Sequence, residues 1–265
     1  MPYKILSPSA APHPQYAGRH ALAIMAKAPR AGKVKTRLSP PLTLAQTAAL
    51  NICFLKDTAE NIASVHHDAV GLVCYTPLGD EQAFEGLLPA DFALIPQRGD
   101  TFGERLLAAA EDILACGFAS VSLIDSDSPT VPQAAFAQGV AELSKPGDRI
   151  VLGPSDDGGY YLIGLKRPHP EPFARISWST GSVAEQTRER CREASLDVVD
   201  LPLWYDIDDA ATLAKLNAEL LRFTPPVFAR TPGYPAPHTR EFLLELDTPA
   251  DLVARPSGEQ GSTTA

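Results

Sequence analysis

The chain has 265 residues, 45% of them hydrophobic and 21% charged, with a formal net charge of -9 at pH 7. That is enough apolar material for one substantial core, and no run nears the roughly 18 apolar residues that a membrane-spanning helix needs. The acidic balance excludes general nucleic-acid binding, which leaves a basic footprint over a domain, but not a small phosphorylated ligand, which local charge decides.

Residues 1–19 have prolines where a signal peptide needs a continuous apolar run, and read as a flexible N-terminal arm of a cytoplasmic protein. The apolar segment 21–26 is the first buried strand. It leads directly into "KAPRAGKVKTRL", which crowds Lys27, Arg30, Lys33, Lys35 and Arg37 around Gly32. Residues 43–63 follow as a helix, with Thr43 and Gln46 placed for a capping box. Strands are predicted at 69–75 and 92–96, a helix at 103–116, and a strand at 120–125 that runs into Asp125 and Asp127.

A helix at 132–145 precedes two apolar runs, "RIVLGP" and "YYLIGL", on either side of Asp156, Asp157, Gly158 and Gly159. A helix near 182–194, a strand near 197–201 and a helix near 209–222 complete the regular part, with Asp206, Asp208 and Asp209 just before the last helix. This alternation indicates an α/β fold: a Rossmann-like, mostly parallel sheet with helices on both faces. Residues 20–223 form that domain. Residues 224–265 form a proline-rich extension and disordered tail, in which "EFLLELDTPADL" offers one more short strand. The extension is also a surface on which a partner subunit could pack, so a homodimer is allowed for. The four cysteines are widely spaced without a C-x-x-C pair, and read as free thiols.

In such folds ligands bind beyond the carboxyl ends of the strands, where the charged loops fall. The basic loop can cradle a diphosphate, because glycine admits close backbone approach and lysine and arginine add charge-assisted hydrogen bonds. It also reads as a solvated basic turn. Asp125 and Asp127 have the spacing to hold a hard divalent cation through oxygen, or to satisfy backbone N–H groups in an ordinary turn. "SDDGG" reads as a hairpin turn, or as a place where glycines admit a ligand beside a carboxylate. Helix capping accounts for one of the three acids at 206–209. No H-E-x-x-H, G-x-S-x-G, P-loop or G-x-G-x-x-G motif is present.

In order, "KAPRAGKVKTRL", "QRGDTFGERL", "DSDSPTVP", "GPSDDGGYYLIGL", "ISWST" and "DIDD" resemble the bacterial GT-A-type glycosyltransferases, some of them named for arsenosugar biosynthesis. That resemblance covers roughly residues 21–217, and more distantly the chain is similar to the molybdenum-cofactor and phospho-lactate guanylyltransferases. The resemblance implies a nucleotide-diphospho-sugar transferase fold, a nucleotide-activated donor and Mg²⁺ or Mn²⁺. It implies that Lys27, Gly32, Lys33, Lys35 and Arg37 face the donor phosphates, with Asp100 and Arg105 also in the substrate site. It makes Asp127 the metal-binding acid, with Asp208 as a second metal contact; Asp125 stands where that family usually has a small residue, and is either a further metal ligand or faces solvent. Asp157, Gly158 and Gly159 then lie on the acceptor side, Asp157 as a base for the acceptor hydroxyl. Trp178 would stack on a sugar or base, or pack in the core.

The expected activity is metal-dependent glycosyl transfer from a nucleotide-diphospho-sugar to a small-molecule acceptor. The alternative is nucleotidyl transfer from a nucleoside triphosphate to a small phosphorylated acceptor. Lys35, as a loop cation, is expected to contribute little to stability.

Overall fold

The computed structural model describes residues 3–8, 12–65 and 69–246. Its centre is an eight-stranded sheet in the order β1-β4-β3-β2-β5-β7-β6-β8. The strands are β1 (Lys4–Ile5), β2 (His20–Lys27), β3 (Ala69–Thr76), β4 (Ala93–Pro96), β5 (Ser120–Ile124), β6 (Ile150–Pro154), β7 (Tyr160–Leu165) and β8 (Val198–Asp200). Only β7 runs against its neighbours, pairing antiparallel with β5 and with β6. The helices are α1 (Leu44–Ala63), α2 (Phe102–Ala115), α3 (Gln133–Ser144), α4 (Val183–Glu193), α5 (Ala210–Arg222) and α6 (Pro237–Leu246).

The strands sort their side chains by alternation. Leu22, Ile24 and Ala26 of β2 join the core under α1, α3, α5 and α6, with Phe54, Phe136 and Leu216. Ala21 and Ala23 point the other way, into the core under α2 and α4 with Leu106, Ile113 and Cys191. Two apolar layers on one sheet are why the strands read as continuous hydrophobic runs. The capping box at Thr43 and Gln46 is present, and Thr101 with Glu104 makes a second at the start of α2. All four cysteines are free thiols, three of them buried.

Chain order places the crevice. From β2 the chain moves outward through β3 and β4, then returns across β2 to β5 on its other side. The loops leaving the adjacent parallel strands β2 and β5 therefore lie where the strand order reverses, the place at the carboxyl ends where ligands bind in such sheets. Those are the basic loop and the Asp125–Asp127 loop.

Two expectations about the ends of the chain change. The described part of the N-terminal arm is structured: Lys4 and Ile5 pair with Ala93 and Leu94, Leu6 is buried, and Tyr16 stacks on Phe118. Residues 237–246 form α6 rather than a strand, because Asp57 of α1 accepts the backbone N–H groups of His238 (3.0 Å) and Thr239 (2.8 Å) at its first turn. A carboxylate from another helix thus does the capping that the local sequence "PAPH" cannot. The extension packs on α1 and α5 of its own chain. The tail expected over the last residues lies outside the described residues.

Replacing Asp57 with Ala leaves those N–H groups without their acceptor and is expected to lower stability by about 1–2 kcal/mol in urea denaturation. An unchanged midpoint would show that α6 docks without its cap.

Candidate active site

The centre of the cleft is Lys35. It follows the turn at Gly32 (φ +71°), and a left-handed backbone at Lys35 itself (φ 48°) turns the chain into the single-turn helix Thr36–Leu38. The side chain, only 5% exposed, runs inward near the Phe54 ring. Its ammonium lies 2.9 Å from Asp127 Oδ2, 3.0 Å from Asp208 Oδ1 and 2.6 Å from the Ile207 carbonyl oxygen. Three N–H donors meet three acceptors, and each acceptor comes from a distant part of the chain. Burial alone would depress the lysine pKa, but the two carboxylates outweigh it and hold the pKa above its usual value. Lys35 is therefore a tertiary tie and not a free loop cation.

The acid loops are also stitched through their backbones. Ile207 N–H donates to the Asp127 carbonyl at 3.1 Å, and Asp156 N–H to the Trp204 carbonyl at 2.9 Å. Asp156 pairs with Lys215, and Asp209 caps α5 through the N–H groups of Ala211 and Thr212. Capping thus accounts for Asp209 and leaves Asp206 and Asp208 facing inward.

Asp125 is held by its own turn. Its Oδ1 accepts the N–H groups of Asp127 and Ser128, and its Oδ2 accepts the Ser128 hydroxyl at 2.8 Å. These bonds are those of the ordinary turn that a D-x-D step can make. Burial, with Asp127 adding to it, pushes its pKa well up. Asp206, bonded by the Ser155 hydroxyl at 3.0 Å, is raised to about 6 by burial and by Asp157 and Asp208.

Two adjoining cavities occupy the cleft. One, of about 280 Å³, is lined by Lys27, Lys33, Lys35 and Arg37 opposite Asp127 and Asp208. Lys27, Lys33 and Arg37 form no ion pair among the described residues, so their charges are available. The other, of about 300 Å³, is lined by Asp157, Gly159 and Trp178 together with Phe102, Tyr160 and Asp125. Arg37 and Asp208 line both, and so mark the junction.

Trp178 meets Phe102 edge-on (centroids 5.0 Å, 90°) and Tyr160 at 6.5 Å, so it belongs to an aromatic wall rather than to the deep core. Sequence reasoning missed Phe102 and Tyr160. Phe102 had one signal, an apolar side chain at the first helical position that remains 42% exposed. Tyr160 had none, because alternation in "YYLIGL" does not tell a cavity from a core.

Asp157 is exposed, and its Oδ1 accepts Gly159 N–H at 2.7 Å. Gly158 does not admit a ligand. At φ +91° an added Cβ would lie 2.0 Å from the Gly181 carbonyl oxygen, so the space is already filled by the 179–182 loop. Gly32 shapes its turn without lining either cavity. Asp100 and Arg105 stay outside both: Asp100 N–H bonds to Glu104, and Arg105 donates to the Asp100 carbonyl beside Phe102.

The donor set fits a divalent cation. Asp127 and Asp208 converge on one cation position, and each retains a second oxygen, that of Asp127 accepting only the Ser126 hydroxyl. Mg²⁺ commonly takes one or two carboxylates, with phosphate oxygens and water completing its shell. A separate group, Asp57, Glu60 and His238, lies at the α1–α6 contact, where Asp57 already serves as the helix cap and His238 pairs with Glu60.

The fold is nucleotide-diphospho-sugar transferase-like. Residues 60–180 match the model of a family described as an uncharacterized protein conserved in bacteria (DUF2064). A protein from Desulfovibrio desulfuricans G20, provisionally named a nucleotide-diphospho-sugar transferase, superposes with a TM-score of 0.73 at 29% identity. The match covers 87% of this chain and 96% of that one. A CMP:2-keto-3-deoxy-manno-octonic acid synthetase solved with CTP shares the fold at a TM-score of 0.51 and 12% identity, over 78% of this chain and 100% of that one. No curated protein matches the sequence. Among the described residues no helix is long and apolar enough to cross a membrane.

Lys35→Met keeps the stem and removes the charge. It is expected to cost about 2 kcal/mol in urea denaturation, below the range for fully buried pairs because Asp127 and Asp208 are 34% and 47% exposed. Wild-type stability would contradict the tie.

Asp206 predicts a pH effect. Its folded pKa of about 6 lies above the ordinary carboxylate value of 3.8, so its stabilising contribution is full at low pH, falls as pH rises through that window, and is gone above it. Asp206→Asn should therefore flatten the stability profile between those two pH values, and an unaltered slope would sink the assignment.

Proposed function

We propose that this chain is a glycosyltransferase that moves a sugar from a nucleotide-diphospho-sugar to a small-molecule acceptor. One observation carries this reading: unpaired Lys27, Lys33 and Arg37 face the Asp127–Asp208 pair in one cavity at the carboxyl ends of parallel strands. A basic wall against an acid pair suits a diphosphate better than either charge alone. Cations bind its oxygens, and the acids face the positive partner that a diphosphate brings with it. The name of the Desulfovibrio structure supports the same class of donor.

In this reading Lys33 and Arg37 hold the diphosphate, and Arg37 at the junction stays with the bridging oxygen as its bond to the sugar breaks. Charge develops on that oxygen in the transition state, so a guanidinium fixed there stabilises the transition state more than the ground state. Lys35 acts indirectly, by holding Asp127 and Asp208 at one separation whether or not substrate is present. Asp157, exposed in the neighbouring cavity, takes the proton of the acceptor hydroxyl. A Mg²⁺ or Mn²⁺ held by the remaining oxygens of Asp127 and Asp208 would neutralise the departing diphosphate as a Lewis acid.

Calorimetry with nucleoside diphosphates and Mn²⁺ tests the cradle. Lys33→Ala and Arg37→Ala are each expected to weaken binding roughly tenfold, as loss of one charge-assisted contact implies. Asp127→Asn should abolish the dependence of that binding on Mn²⁺. Wild-type affinity in both cation variants would remove the nucleotide from this cavity. Release of pyrophosphate from a nucleoside triphosphate, in place of diphosphate from a nucleotide-sugar, would replace glycosyl by nucleotidyl transfer.

A further inference from the structure

The two cavities differ in a way that bears on the acceptor, given the transfer reading above. The basic cavity brings Lys27, Lys33 and Arg37, which form no ion pair among the described residues. The neighbouring one has Arg37 as its sole cation, shared across the junction, against Asp125, Asp157 and Asp208. Its remaining wall joins Met25, Leu106 and Leu123 and the rings of Phe102, Tyr160 and Trp178 to the short polar segment of Ser179 and Thr180. A phosphate placed there would meet two exposed carboxylates, Asp157 and Asp208, while competing with the donor for one guanidinium. A ring would meet the edge-on pair of Trp178 and Phe102, and an ammonium would find both carboxylate and aromatic partners. The volume of about 300 Å³ is at the small end of ligand sites.

We propose that the aromatic cavity selects an acceptor without a phosphate group: a neutral or cationic molecule with an apolar ring, its nucleophilic oxygen or nitrogen directed at Asp157. The step is a substitution at the anomeric carbon. The acceptor O–H or N–H gives its proton to Asp157 and its electron pair to that carbon. The bond from carbon to the diphosphate oxygen breaks with its electrons, and the nucleoside diphosphate leaves in the basic cavity. Of the two carboxyl groups nearest the aromatic wall, Asp157 is the one free to act, because the turn engages both oxygens of Asp125.

Trp178 is half-buried in this wall, whereas Trp204 is fully buried with its Nε1–H on Thr130, so Trp178 reports the cavity by fluorescence. Three probes separate the chemistries: phenethylammonium, 2-phenylethanol and phenyl phosphate. The first two are expected to perturb Trp178 with affinities about tenfold or more above that of phenyl phosphate, the factor that one unfavourable charge contact implies. Asp157→Asn should bring phenethylammonium down to the level of 2-phenylethanol, and Trp178→Phe should abolish the signal while the circular dichroism spectrum is retained.

Phenyl phosphate binding as tightly as the others, or no probe perturbing Trp178, overturns the proposal. Calorimetry of a nucleoside diphosphate with Mn²⁺ on the same protein keeps the two failures apart. Loss of nucleotide binding sinks the transfer reading, while a reversed probe order with nucleotide binding intact sinks only the acceptor class.

Discussion

The cleft depends on one ammonium. Lys35 joins the loop after β2 to the loop after β5 and to the segment before α5, through Asp127, Asp208 and the Ile207 carbonyl. Without it two carboxylates on different loops would repel each other across the crevice, and nothing else in the basic loop reaches them. Desolvating a lysine is costly, and the cost is offset only because all three donors find acceptors at hydrogen-bonding distance. The result is a preset spacing between two acids beside a wall of unpaired cations. In an enzyme that works by positioning, such preset geometry lowers the reorganisation required at the moment of reaction.

Around this tie the remaining loops are held from behind. Trp204 is buried with its Nε1–H on Thr130, and Tyr234 N–H donates to the Thr130 carbonyl, so the extension after α5 backs the Asp125–Asp127 loop. Gly158 lets the 155–159 turn lie against Gly181, which seats the aromatic wall. The C-terminal extension is therefore part of the support of the site. Its own anchor, Asp57, comes from the helix that also packs Phe54 near Lys35.

The division of the cleft into a basic and an aromatic cavity would give the two reactants of the proposed transfer different electrostatic addresses. Donor phosphates would meet cations that form no ion pair among the described residues, and an acceptor would meet carboxylates and rings. Arg37 and Asp208, common to both walls, set where the two meet.

The local chemistry of the sequence determined most of the framework. Hydrophobic runs of strand length, helical spacing from Leu44 onward, the Thr43–Gln46 cap and the Asp-Gly turn all rest on interactions within a few residues, and each lies where the pattern put it. The identity of the charged loops was legible for the same reason, since strand ends are local. What those charges do to one another was decided only by tertiary structure. Lys35 looked like any loop cation until residues more than 170 positions away surrounded it, and the bonds of Asp125 to its own turn appear only in the folded loop. The first turn of α6 is capped from α1, over 180 residues away, so no reading of "PAPHTREFLLEL" alone could choose helix over strand. Spacing along a chain specifies which groups are available, and burial and long-range pairing specify which of them remain free to meet a ligand.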